Sequence, residues 1–195
     1  MSLRKLVWAV TAAFATACGS VPAQRDVACG TSSVQVLPNG SFELATPAWV
    51  QDPATPSALC GTDIITPVEG TKVACLGGAD GKVVTLSQEV PLPDGAKKAT
   101  LSGQICITTQ EPTDAPENDV LQVQLLDGTT VLATLGQFSN QQGSAECIFM
   151  AFSPLTAALS SDPVTATLQL RSSLNALNTT SFFIDALNLD VSCTQ

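Results

Sequence analysis

The chain contains no histidine and no tyrosine, and these two absences exclude more chemistry than any motif adds. Without histidine there is no imidazole to act as general base, to activate a serine or cysteine nucleophile, or to complete a mixed cysteine and histidine zinc site. Without tyrosine there is no phenolic acid, and one of the side chains on which sugar rings stack is missing. No C-x-x-C, G-x-S-x-G or phosphate-loop pattern occurs. Asp114, Glu117 and Asp119 are the acids close enough in sequence to suggest a two-carboxylate hydrolase. They fall in the Pro-rich polar stretch Gln110 to Asn118 and its border, which offers little apolar surface to raise a carboxyl pKa. The chain reads as non-catalytic.

Long apolar runs are nearly absent as well. The exception, Leu6 to Ala17, is twelve residues long and follows Arg4 and Lys5; it is shorter than the roughly 20 residues a spanning helix needs and has the form of an export signal. The small residues before Cys18 resemble a bacterial lipoprotein signal, in which Cys18 is acylated and becomes the first mature residue. Ala15-Thr16-Ala17 is also an A-x-A site for ordinary cleavage, and Val21-Pro22-Ala23 is a second. The expected organisation is a signal peptide over 1–17, a lipid-anchored tether over 18–33 and one domain over 34–195. The expected location is a bacterial outer membrane or cell surface as a lipoprotein, with a freely secreted chain as the alternative. Any membrane attachment is expected only through the N-terminal lipid.

Base is scarce. Removal of Arg4 and Lys5 leaves six basic against seventeen acidic residues, a balance of −11. Nucleic acid is excluded as a partner, because phosphate binding needs a basic patch. If Cys18 carries lipid, six cysteines remain, an even set in a compartment that permits disulfides. Six cysteines allow 15 pairings, and order along the chain suggests Cys29 with Cys193, Cys60 with Cys75, and Cys106 with Cys147.

What the chain does have is alternation. Leu121, Val123 and Leu125 are interleaved with Gln122 and Gln124, and Ala166, Leu168 and Leu170 with Thr165, Thr167, Gln169 and Arg171. Period two over short runs bounded by Gly, Pro, Asn and Asp predicts strands with one face in a core and one in water. Nine are expected, at Ser33 to Leu37, Thr71 to Leu76, Lys82 to Val90, Ala99 to Thr108, Asp119 to Leu126, Thr130 to Leu135, Glu146 to Phe152, Val164 to Arg171 and Ser181 to Val191. Asp127-Gly128 predicts a hairpin. Ala45 to Ile64 reads as an irregular Pro-rich stretch and Ala157 to Ser161 as a helical turn. The predicted fold is an all-β, two-sheet antiparallel sandwich.

Asn39-Gly40-Ser41-Phe42-Glu43 near the start and Ser181-Phe182-Phe183-Ile184-Asp185-Ala186-Leu187-Asn188-Leu189 at the end resemble the opening and closing strands of the galactose-binding-like jelly roll, the fold of many bacterial carbohydrate-binding modules. Trp49, Glu69 to Gly78, Leu86 to Pro93 and Ala99 to Ser102 fall between them in the order that family shows. The resemblance implies a jelly roll whose first and last strands are neighbours, and a non-catalytic extracellular binding module, with a glycan as its partner. The alternative is a structural or protein-interaction lipoprotein of the envelope with no small-molecule site. It also implies one structural calcium held by Glu43 and Asp185; otherwise these acids accept backbone amides or pair with Lys72. Trp49 is either a sugar-stacking platform or a plug over the core near Phe42. If Cys106 pairs with Cys147, strand parity puts Gln104, Gln122, Gln124, Gln169 and Arg171 on a non-core face with Phe149, a surface suited to a hydroxyl-rich or anionic ligand.

Overall fold

A computed structural model describes residues 33–194 apart from 79, 80, 113, 162, 164, 176 and 177. The export signal, Cys18, the tether and Cys29 lie outside the described residues.

Period-two alternation becomes two antiparallel sheets. The larger, of seven strands, comprises β1 (Val34–Gln35), β3 (Leu59–Gly61), β4 (Lys72–Gly77), β6 (Lys98–Thr109), β9 (Met150–Ala151), β10 (Leu155–Ala158) and β12 (Thr180–Ser192). Its order is β10-β6-β12-β4-β3, with β1 on β12 and β9 on β6. The second sheet, of five strands, comprises β2 (Val50–Asp52), β5 (Val83–Pro91), β7 (Val120–Asp127), β8 (Thr130–Ser139) and β11 (Thr165–Ser173), in the order β2-β5-β11-β7-β8. Among the described residues the only helix is a 3-10 turn at Asn140–Gln142, and no helix is long and apolar enough to cross a membrane. The expected jelly-roll sandwich is the observed architecture.

The core lies between the sheets. Leu86, Leu121, Leu125, Leu168 and Leu170 from the smaller sheet face Leu76, Leu101, Phe182 and Leu189 from the larger one, all fully buried. Burying one such side chain stabilises the fold by about 1.5–3 kcal/mol. Asp127 closes a pair with Thr130 across the predicted hairpin, where Gly128 takes a φ of 58° that the turn demands.

The first and last strands do meet. Val34 stands opposite Val191 and Gln35 opposite Asp190, and the Val36 amide donates to the Leu189 carbonyl at 2.8 Å. The Asn39 to Glu43 motif explains itself from this closure. Gly40 runs so close to β12 that any side chain would enter the Leu187 carbonyl, while the Leu187 amide donates to the Gly40 carbonyl at 3.0 Å. Buried Asn39 pins the following loop, its Nδ2 donating to the carbonyls of Leu44 (2.9 Å) and Pro47 (3.0 Å) and its Oδ1 accepting the Leu44 amide (3.0 Å). Phe42 then drops into the core.

Three local expectations change. The stretch Ala45 to Ile64 carries two short strands, β2 and β3. Ala157 to Ser161 is not a helical turn: Leu155 to Ala158 pair with Leu101 to Lys98, so a sheet edge in need of a partner overrides alanine's helix preference. Glu146 to Phe152 contributes only the two residues of β9, which pair with Ile105 and Gln104 of β6.

Candidate functional site

The outer face of the five-stranded sheet gathers part of the predicted polar surface. Arg171 is in register with Gln122 on one side and Thr85 on the other, and the row continues to Asp52 and Gln137. The adjacent row reads Val50, Ser87, Gln169, Gln124 and Thr134. Neighbouring strands stand about 4.8 Å apart, so the guanidinium, four carboxamides and three hydroxyls occupy one continuous patch. Gln124 donates to the Thr134 hydroxyl at 3.3 Å and Gln137 to Glu117 at 3.1 Å. Arg171 has no ion pair or side-chain hydrogen bond among the described residues, and its nearest acid in the same row, Asp52, is two strands away. Five guanidinium donors beside amide groups suit the recognition of hydroxyls or carboxylates.

Gln104 and Phe149 are not on this face. Gln104 belongs to β6 of the other sheet, opposite Asp185 and Ala151, and Phe149 directly precedes β9, which pairs with β6 in that same sheet. Strand parity separates core from exterior, but a sandwich has two exteriors, and parity does not say which sheet a strand joins. Trp49 is also displaced from the expected ligand surface. It is 9 % exposed, its ring centroid is 5.0 Å from that of Phe42, and its indole N–H donates to the Asn39 carbonyl at 2.7 Å. It plugs the core and presents no open ring to a sugar.

The expected disulfides Cys60–Cys75 and Cys106–Cys147 are formed, with Cα separations of 5.8 and 5.4 Å. Cys193 is disulfide-bonded as well; Cys29, its expected partner, lies outside the described residues. Cys75 and Cys106 flank Phe183 in register on the outer face of the larger sheet.

Glu43 and Asp185, the candidate calcium ligands, hold a loop between them. Fully buried Asp185 accepts the amides of Val68 (2.7 Å) and Glu69 (3.1 Å) on Oδ2 and of Ala186 (2.7 Å) on Oδ1. Glu43 accepts the amides of Thr71 (2.8 Å) and Lys72 (2.6 Å) on Oε1 and the Thr71 hydroxyl (2.9 Å) on Oε2. The Thr71 amide leads the effects that lower the Glu43 pKa from 4.5, with the Lys72 amide, the Thr71 hydroxyl and the Lys72 charge adding to it against partial burial. Between the two carboxylates Gly70 has a φ of 62°, and a Cβ there would sit 2.5 Å from the Glu43 carboxyl carbon. A cation needs oxygen lone pairs. Here all four carboxylate oxygens face N–H or O–H donors, which take six of their roughly eight lone-pair sites, so in this arrangement the two acids serve as acceptors that fasten the loop. Among the described residues no group of three or more acidic or cysteine side chains is placed to hold a metal.

The acids of the polar loop diverge. Asp119 is fully buried and accepts the Asn175 amide at 2.8 Å, whereas Glu117 is exposed and bonded to Gln137. Asn140 ties the loop down by accepting the amides of Asn118 and Asp119 and donating to the Pro116 carbonyl. One further feature escaped the sequence reading: an apolar cavity beside β9. Its signal was the unbroken apolar run Ile148 to Phe152, which lacks the alternation of the true strands.

No protein-family model matches the chain, and no curated protein matches it. Solved structures do. The CBM22-1 xylan-binding domain of Paenibacillus barcinonensis Xyn10C is similar at a TM-score of 0.50 and 12% identity, over 87% of this chain and 100% of that one. Arabinose-bound α-L-arabinofuranosidase MgGH51 is similar at a TM-score of 0.50 and 16% identity, over 80% of this chain and only 26% of that one. TmCBM61 in complex with β-1,4-galactotriose is similar at 0.47 and 14% identity, over 80% and 98%. At such identities the likeness to the two structures with a TM-score of 0.50 establishes the jelly-roll fold alone.

Proposed function

We propose that this chain is a non-catalytic extracellular binding module that holds a carbohydrate against the outer face of its five-stranded sheet. Arg171, Gln122, Gln124 and Gln169 would supply the hydrogen bonds. One observation carries the reading: four polar side chains picked out by sequence are direct cross-strand neighbours, with the guanidinium unpaired at their centre. The fold shared with a domain described as xylan-binding agrees with it. The lone cation favours sugars bearing a carboxylate. The lipoprotein signal would tether the module to a bacterial outer membrane or cell surface through Cys18, with secretion of the free domain as the other outcome of export.

A second reading has an observation of its own. The face carries no aromatic ring on which a pyranose can stack, which favours an envelope protein with a structural or protein-interaction role. A glycan array spanning neutral and uronic-acid polysaccharides, followed by calorimetry on the oxidised domain, separates the two. Binding that Arg171→Ala and Gln122→Ala abolish supports the carbohydrate reading. No binding, or binding that the pair of substitutions leaves intact, overturns it.

A further inference from the structure

A cavity enters the sandwich along one side. Lying between β8, the edge of the five-stranded sheet, and the short edge strands β9 and β10 of the other, it has a volume of about 350 Å³ and reaches the core. Its floor is Ile105, Ile107 and Phe138, each less than a tenth exposed, and its walls are Phe152 and Leu155. Ile148 and Met150 form the lip at 64 % and 63 % exposure.

This exposure is not that of a loose end. The segment bearing the lip is fastened by the Cys106–Cys147 bridge, by the Ser144 amide donating to the Ile107 carbonyl (3.0 Å), by the Thr109 amide donating to Ser144 (3.1 Å), and by Met150 pairing with Ile105. Two large apolar side chains are thus held in water by a braced backbone, over a cavity within the range of about 300–1,000 Å³ typical of small-molecule sites.

We infer that this cavity binds one uncharged hydrocarbon chain, such as the acyl chain of a monoacylglycerol. No charged side chain lines it. The acids around it, Glu146 beside Cys147 and Glu117 bonded to the rim residue Gln137, disfavour an anionic head group. Flexible Met150 beside branched Ile and Leu surfaces suits an aliphatic chain. Gln137, Gln142, Ser144 and Ser153 interrupt the apolar surface around the opening, whereas a stable protein contact needs roughly 800 Å² a side.

The test is a calorimetric titration of the oxidised domain with 1-monodecanoylglycerol below its aggregation concentration. Saturable one-to-one binding is expected, weaker for the decanoate anion, and reduced about tenfold or more by Met150→Asp or Ile148→Asp. Ile64→Asp, equally exposed at 63 % but outside the cavity, serves as the control and leaves affinity unchanged. Methyl NMR provides a readout on the unsubstituted protein, with Met150, Ile148 and Ile105 shifting on titration. Absence of saturable binding, shifts confined to other methyls, or insensitivity to both lip substitutions overturns the inference. So does concentration-dependent dimerisation that the lip substitutions abolish, which would assign the surface to a second copy of the chain.

Discussion

The two exteriors of the sandwich solve opposite problems. On the five-stranded sheet, polar side chains stand in rows with Arg171 unpaired. On the seven-stranded sheet the corresponding side is covered: two disulfides flank Phe183, and two carboxylates clamp the loop from Val68 to Lys72. Groups with satisfied partners rigidify, and groups without them remain available to a ligand. Stabilising contacts gather on one face, and the proposed carbohydrate contact lies on the other.

The largest effect should come from the covered face. The bridges close loops of 15 and 41 residues, so replacing either cysteine pair with alanine should cost about 3–4 kcal/mol, and reductant should lower the melting temperature markedly. Unchanged melting on reduction would break the division of labour.

Asp185→Ala leaves three amides without their charged acceptor, and chemical denaturation should register a loss of about 3 kcal/mol. On the bare face, Arg171→Ala and Gln122→Ala should each change stability by less than about 0.5 kcal/mol, while removing glycan binding. Comparable destabilisation from both sets would erase the distinction.

Acid offers a finer probe. Hydrogen bonds from the Thr71 and Lys72 amides and the Thr71 hydroxyl lower the Glu43 pKa from 4.5. Its contribution is present above the unfolded value and fades as pH falls through the folded one. Glu43→Gln should therefore be less stable than the natural chain at neutral pH, with the gap closing below about pH 4. A gap that widens in acid would show that the carboxylate is not the clamp. Smallest of all should be the response to calcium: chelator or added calcium should leave the melting temperature within about 1 °C, because the clamp is closed by amides. A clear rise with calcium, lost in Asp185→Asn, would restore the metal.

Strand alternation made the fold legible, since Leu121, Val123, Leu168 and Leu170 all face the core with Gln122, Gln124, Gln169 and Arg171 between them. Short pieces were less so. β2, β3 and β9 are two or three residues long, too few to show a period, and exist because a longer strand beside them has open hydrogen bonds. Half of the polar patch was legible for the same reason. Gln104 parted from it because sheet membership is a long-range property, set by which strand lies alongside rather than by local pattern. The tethering of Glu43 and Asp185 to amides at Val68 to Lys72 depends on a loop conformation that no spacing encodes.

β12 touches β1, β4 and β6, and it is the last of these four along the chain. A polypeptide emerging from its N-terminus thus presents all six other strands of the larger sheet before the segment Thr180–Ser192 that joins three of them. Until that segment arrives, local hairpins can come and go but the sandwich cannot lock. Such postponed commitment suits the export proposed above, in which the chain would be threaded through a narrow channel before it takes its working shape.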